Sequence, residues 1–247
     1  MGKLRCAYNW HNTGRRAFFD GSTFETVQAD YPVQFGDDFC GADLAIPAAG
    51  SDESGCKFVK KIVGAAPPTV VKGADAASGT VICTLTTDSQ KQDAALTMDD
   101  LRNFVLTQGC IFEARIKLNT LPTLLSEAWF GLFGDWKDGG SDYRVQFLAD
   151  GSGAIECEVD DNATKTNAAA GTTLTITDWA IFRIDMTDET SIKFYINGAR
   201  VCGSTTFPYA ATGANATLQP YVGLYKASGA GVGAITVDYI RVWQNRS

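Results

Sequence analysis

Apolar residues recur at every second position along much of this chain, and helical spacing is nearly absent. The run Ile111–Leu118 is the clearest case. Phe112, Ala114, Ile116 and Leu118 fall on one side of an extended backbone and Glu113, Arg115 and Lys117 on the other, as in a strand with one buried and one solvated face. Similar runs predict strands at Thr80–Thr86, Phe104–Leu106, Trp129–Phe133, Tyr143–Leu148, Ala154–Val159, Trp179–Asp185 and Tyr221–Tyr225. The sharpest local signal is Ile192–Val201, where Asn197-Gly198 breaks an alternating run as a two-residue type I′ turn would. Only Met98–Val105 reads as a short helix, and Ala48–Gly55 and Gly64–Gly79 read as surface loops. Many short strands separated by turn residues predict an all-β domain of two packed antiparallel sheets.

The last run, Ala234–Gln244, is crowded with β-branched and aromatic residues and closes the domain as a strand. Asp238 is out of place in it. By the two-residue period it shares a face with Ile240 and Val242, with Val237 beside it, and a carboxylate buried there requires a partner. Cys83 and Cys157 alternate with apolar residues and are expected on inner faces. Trp129 and Trp179 are expected in the core, while Trp136, between Asp135 and Lys137 in a polar loop, is the tryptophan expected to be exposed.

Composition narrows the picture. A chain of 247 residues, 45% hydrophobic, suffices for one large sandwich. Its formal net charge of −7 argues against nucleic acid, which requires a concentrated basic surface. No apolar run approaches the roughly 18 residues that span a membrane, and residues 1–20 lack the pattern of a secretory signal, so use without export is expected. The seven cysteines include no C-x-x-C pair, which predicts free, mostly buried thiols and no zinc site.

Three segments in order, Phe112–Leu118, Asp178–Asp185 with Ile192–Gly198, and Val237–Trp243, resemble the laminarinase-like members of the concanavalin A-like lectin/glucanase sandwiches. The resemblance implies a jelly roll and, at Asp238, a structural calcium ligand; hydrogen-bond donors are the alternative partner. It also implies a catalytic strand of the form Glu-x-Asp-x-(x)-Glu on the concave face, where one carboxylate attacks while another, about 5 Å away, protonates the leaving oxygen. Where that strand is expected the chain reads Ser141-Asp142-Tyr143-Arg144-Val145-Gln146-Phe147, without a glutamate. The nearest acids, Glu156, Glu158 and Asp160, share a face but lie one strand later, and read as a solvated outer face. No catalytic residue is therefore assigned, and hydrolytic inactivity is expected.

Other chemistry is weaker. His11 is the one histidine, and no G-x-S-x-G elbow or phosphate-binding loop occurs. Asp160-Asp161-Asn162 suits calcium ligation or, more simply, a solvated turn. Trp136 is the candidate contact for a carbohydrate.

Residues 1–30 lack a clear period and hold Tyr8, Trp10, Arg15, Arg16, Phe18 and Phe19. They read as an N-terminal arm that orders on a partner, ahead of a sandwich over 31–247. Lys60–Thr69, Leu85–Leu96, Glu158–Thr164 and Phe194–Val201 resemble segments of virion structural proteins of tailed bacteriophages. That resemblance implies a non-enzymatic capsid decoration protein on the virion surface, assembled in the host cytoplasm. Its partner would be the major capsid protein, bound through the arm, with a homo-oligomer or a host-surface glycan as further partners. A carbohydrate-binding module or fibre is the alternative, and a divergent endo-β-glucanase the third reading.

Overall fold

The computed structural model describes residues 33–40, 58–74, 79–135, 143–175 and 177–246, together with the backbone of three strands nearer the N terminus. Those three, β1 (Leu4–Asn9), β2 (Arg16–Asp20) and β3 (Thr26–Val27), pair antiparallel in a small sheet of their own. Tyr8, Arg16, Phe18 and Phe19 are placed there as backbone positions, and Trp10 and Arg15 lie outside the described residues.

The rest forms two eight-stranded antiparallel sheets. The first runs β17 (Ala199–Val201), β16 (Lys193–Ile196), β15 (Trp179–Met186), β10 (Cys110–Thr120), β19 (Ala234–Gln244), β7 (Val81–Thr84), β6 (Thr69–Lys72), with β4 (Val33–Asp37) on the far end of β19. The second runs β14 (Lys165–Thr173), β13 (Ala154–Asp161), β12 (Tyr143–Ala149), β11 (Ser126–Phe133), β18 (Thr217–Lys226), β8 (Gln92–Thr97), β5 (Val59–Val63), with β9 (Phe104–Val105) beside β18. This is the all-β architecture that the alternation predicts and the jelly-roll sandwich that the family resemblance implies.

The sheets meet through aromatic side chains. Phe130 and Phe147 of the second sheet lie 4.5 and 5.1 Å, centroid to centroid, from Phe182 of the first, and Phe147 also meets Phe194 edge-on at 5.1 Å. Edge-to-face and tilted contacts at these distances are favourable because ring edges and faces carry opposite partial charge. Phe112, Ala114, Ile116 and Leu118 all point into this core. Cys83, Cys110, Cys157, Cys202 and Cys40 are free thiols. The Asn197-Gly198 turn has φ of +49° and +77°, as a type I′ turn requires at both central residues.

Three sequence expectations are corrected. Met98–Val105 is not a helix: Asp99 and Asp100 take positive φ, β9 follows, and the only helical turn nearby is the 3-10 segment Leu106–Gln108. The expected loop Gly64–Gly79 contains β6. Trp179 is not in the core but half-buried on the outer face of its sheet, because Ala180 and Phe182 take the inward positions; Trp129 is buried as expected, in a smaller cluster on the outer face of the other sheet.

Truncating the central ring tests this packing. Phe147→Ala removes contacts with Phe130, Phe182 and Phe194 at once and is expected to cost about 3–5 kcal/mol, measured as a lowered urea midpoint with an unchanged slope.

Candidate functional site

The outer face of the second sheet gathers acidic, basic and aromatic side chains from adjacent strands. Ile155, Cys157 and Val159 face the core, so alternation turns Glu156, Glu158 and Asp160 of β13 outward. Cross-strand register sets them opposite Leu148, Gln146 and Arg144 of β12, and sets Asp160 and Glu158 opposite Lys165 and Asn167 of β14. β11 contributes Glu127, Trp129 and Phe133, and β18 contributes Tyr221 and Tyr225.

Two glycines shape the middle of this face. Gly131 pairs with Tyr221, and Gly223 with Trp129. A Cβ at Gly131 would stand 2.1 Å from the Val145 carbonyl oxygen, and one at Gly223 2.5 Å from the Cβ of Ala95. Neither position tolerates a side chain, and the aromatic rings opposite fill the space. Trp129 and Tyr225 stack with centroids 4.9 Å apart and planes 27° apart, and Trp129 continues to Phe133 at 6.2 Å. The result is an aromatic floor of mutually stacked rings in which Trp129, Phe133 and Tyr221 are buried and Tyr225 and Leu148 keep part of their surface exposed.

Around that floor the carboxylates are held in different states. Glu158 is 2% exposed. It accepts from Arg144 Nε at 2.5 Å, Lys165 Nζ at 2.6 Å and Gln146 Nε2 at 3.0 Å. Burial alone would raise its pKa, but the hydrogen bonds and charges of Lys165 and Arg144 outweigh burial and hold the carboxyl below the ordinary glutamate value. Arg144 also reaches Asp160 at 3.5 Å. Glu127 shifts the other way. Burial pushes it up and the charge of Glu158 adds to this, against a 3.0 Å hydrogen bond from the Trp129 indole and the opposing charges of Lys165 and Arg144. Gln146 Oε1 is buried without a hydrogen-bond partner, leaving an unused acceptor beside Glu158.

Of the residues singled out from sequence, the structure brings Glu156, Glu158 and Asp160 into this site. The expectation that they form a solvated face is corrected for Glu158, which is buried and doubly ion-paired. Asp161, next in the acidic triplet, is the last residue of β13 and closes the turn that follows. Its Oδ1 accepts from the Ala163 and Thr164 amides at 2.9 and 2.7 Å and its Oδ2 from the Ala210 amide at 3.1 Å. Asp238 lies on the other sheet and meets Arg115 Nη1 at 2.5 Å. It escapes the strand period because Arg115 pairs with Tyr239 and Ile116 with Val237, so Asp238 is the extra residue of a bulge. Among the described residues, no cluster of three or more His, Cys, Asp or Glu is placed to hold a metal ion. Trp136 lies outside the described residues. Glu127, Arg144, Lys165 and Tyr225 were missed, although Glu127 and Arg144 both sit out of phase with buried neighbours of their strands.

No model of a known protein family matches the chain, and no curated protein matches it in sequence. Solved structures do match. A protein of unknown function from Shewanella oneidensis MR-1 aligns over 92% of this chain and 93% of its own, at TM-score 0.59 and 14% identity. A beta-1,3-glucanase from Mycobacterium marinum aligns over 88% and 100%, at 0.56 and 18%. An endo-beta-1,4-glucuronan lyase from Trichoderma reesei aligns over 87% and 96%, at 0.57 and 12%. The fold is therefore that of the concanavalin A-like sandwiches. The expectation of a non-enzymatic phage capsid protein is corrected by these matches, two of which are named as polysaccharide-processing enzymes.

The Glu158 cluster has a pH signature. Its folded-state pKa is depressed, so its contribution to stability is complete above the ordinary glutamate value of about 4.3 and is lost as pH falls through the lower folded value. The melting temperature of the native protein should exceed that of Glu158→Gln at pH 7, and the gap should narrow as pH falls below the ordinary glutamate range. A gap that stays constant would refute the ionised, paired state of Glu158.

Proposed function

We propose that this chain is a polysaccharide-processing enzyme that lays a glycan across the outer face of the second sheet and hydrolyses its glycosidic bonds. The observation that carries this reading is the opposite bias of two carboxylates on one face. Glu127 is pushed toward its protonated form, and Glu158 is held ionised by Arg144 and Lys165. Glycoside hydrolysis requires one carboxyl to give a proton to the departing oxygen and another to stabilise or attack the electron-deficient anomeric carbon, or to activate water against it. Glu127 takes the first role, and Glu158, reached when the exposed Lys165 side chain moves aside, the second.

The aromatic floor supplies binding. Tyr225, the ring of this row that keeps exposed surface, offers a contact to an apolar sugar face, and Trp129 behind it holds that ring in place. The strand expected from the family resemblance to carry three acids carries Arg144 and Gln146 instead. Here β12 tunes the acids and β13 and β11 present them. The names of the glucanase and glucuronan lyase among the structural neighbours favour a polysaccharide over a small glycoside.

Reducing-end release from a panel of soluble β-glucans and polyuronates tests the proposal. Glu127→Gln and Glu158→Gln should each lower kcat at least about 100-fold, with smaller changes in KM. Equal turnover by the native protein and both variants would refute the assignment, and products carrying a new carbon–carbon double bond would replace hydrolysis by elimination.

A further inference from the structure

The other sheet carries a second arrangement that the proposed reaction does not use. On its outer face, cations and aromatic rings alternate across adjacent strands. The Arg115 guanidinium lies 4.5 Å and the Lys117 ammonium 4.9 Å from the centroid of Trp179. Arg183 lies 4.2 Å from Tyr195, and Arg241 4.0 Å from Tyr239. Cation–ring contacts of this kind hold the charge over the ring face; Arg183 and Tyr239 are buried, whereas Trp179 and Tyr195 are only partly so.

The acids on this face are already engaged. Asp238 pairs with Arg115, and Glu113 accepts the Tyr239 hydroxyl at 3.1 Å. Asp185 accepts the Thr187 amide at 3.1 Å and, with Glu113, sets its charge against the buried Arg183. Lys117, Arg200 and Arg241 remain, with no carboxylate in salt-bridge reach among the described residues. Each sits beside a ring, since Arg200 is the register partner of Tyr195. Arg200 is exposed and Lys117 and Arg241 partly so. In a chain of net charge −7, this sheet face bears a local surplus of positive charge.

We infer that the outer face of the first sheet is a binding surface for an anionic polysaccharide of the polyuronate class. A uronate residue pairs an apolar sugar face, which suits Trp179 or Tyr195, with one carboxylate, which suits the unpaired cation beside the ring. From β17 to β19 there are four inter-strand steps, roughly 19 Å, so the occupant is an extended chain. Nucleic acid fits less well. It presents a negative charge about every 1.7 Å along a duplex, whereas the free cations here are sparse and separated by Glu113 and Asp185. This surface lies across the core from Glu127 and Glu158, and the inference stands apart from the hydrolytic reading.

Calorimetric titration with an oligogalacturonate tests it, with its methyl ester and a single-stranded oligonucleotide of equal length as comparisons. The native protein should bind the free acid and bind the methyl ester and the oligonucleotide more weakly. Affinity should fall at least about tenfold in the Lys117→Gln/Arg200→Gln/Arg241→Gln variant and at high salt. Lys117→Gln alone, at a partly exposed position, guards against misfolding of the triple variant and should show a smaller loss in the same direction. Full affinity in the triple variant, equal binding of the ester, tighter binding of the oligonucleotide, or no binding of oligogalacturonate by the native protein would each overturn the inference. None of these outcomes bears on Glu127 and Glu158, whose failure would appear in turnover instead.

Discussion

Phe182 touches Phe130 and Phe147 across the gap between the sheets, and this contact fixes which residues of the central strands point inward. In a strand the choice is binary, so placing Phe147 in the core turns Arg144, Gln146 and Leu148 outward together, and placing Phe182 there does the same for Arg183 and Asp185. A slip of one residue in β12 would bury Arg144 and Gln146 against phenylalanine rings. The whole outward chemistry of both sheets therefore depends on a few ring contacts that contain no polar atom.

Charges buried near the ends of this core are neutralised in different ways. Glu158 is met by two cations. Lys226, with no exposed surface, donates instead to the carbonyl oxygens of Thr86, Asp88 and Gly231 at 2.6, 2.7 and 3.0 Å. Desolvation pulls its ammonium below the usual lysine value, against the charge of Asp88. Those bonds tie the end of β18, next to Tyr225, to two loops and so help fix the aromatic floor. On the same strand the Tyr221 hydroxyl donates to Asp93 at 2.8 Å within the sheet, and burial raises that hydroxyl well above its ordinary value.

The fold by itself leaves the chemistry open, since one sandwich can host hydrolases, lyases and binding modules. What distinguishes this chain is where its acids fall. The residues at the position of the expected catalytic triplet are an arginine and a glutamine, and the acids stand on flanking strands. A motif search along one strand finds nothing, whereas the assembled face contains two carboxylates in opposed environments. The same face shows why exposure cannot be judged from polarity: Glu158 reads as a surface residue in sequence and is sealed by Arg144 and Lys165.

The sequence by itself determined the all-β class, most of the strands, the Asn197-Gly198 hairpin and the inward set of β10, because a period of two and a left-handed turn are local properties of a few consecutive residues. The tertiary structure alone decided the rest. β11 is apolar on both faces, so only packing could place Phe130 inside and Trp129 outside. The bulge that turns Asp238 toward Arg115 is a mismatch with a partner strand more than a hundred residues away and has no local signature. Glu127 and Glu158 influence one another because β12 lies between β11 and β13, an order set by how the sheet assembles and by no spacing along the chain.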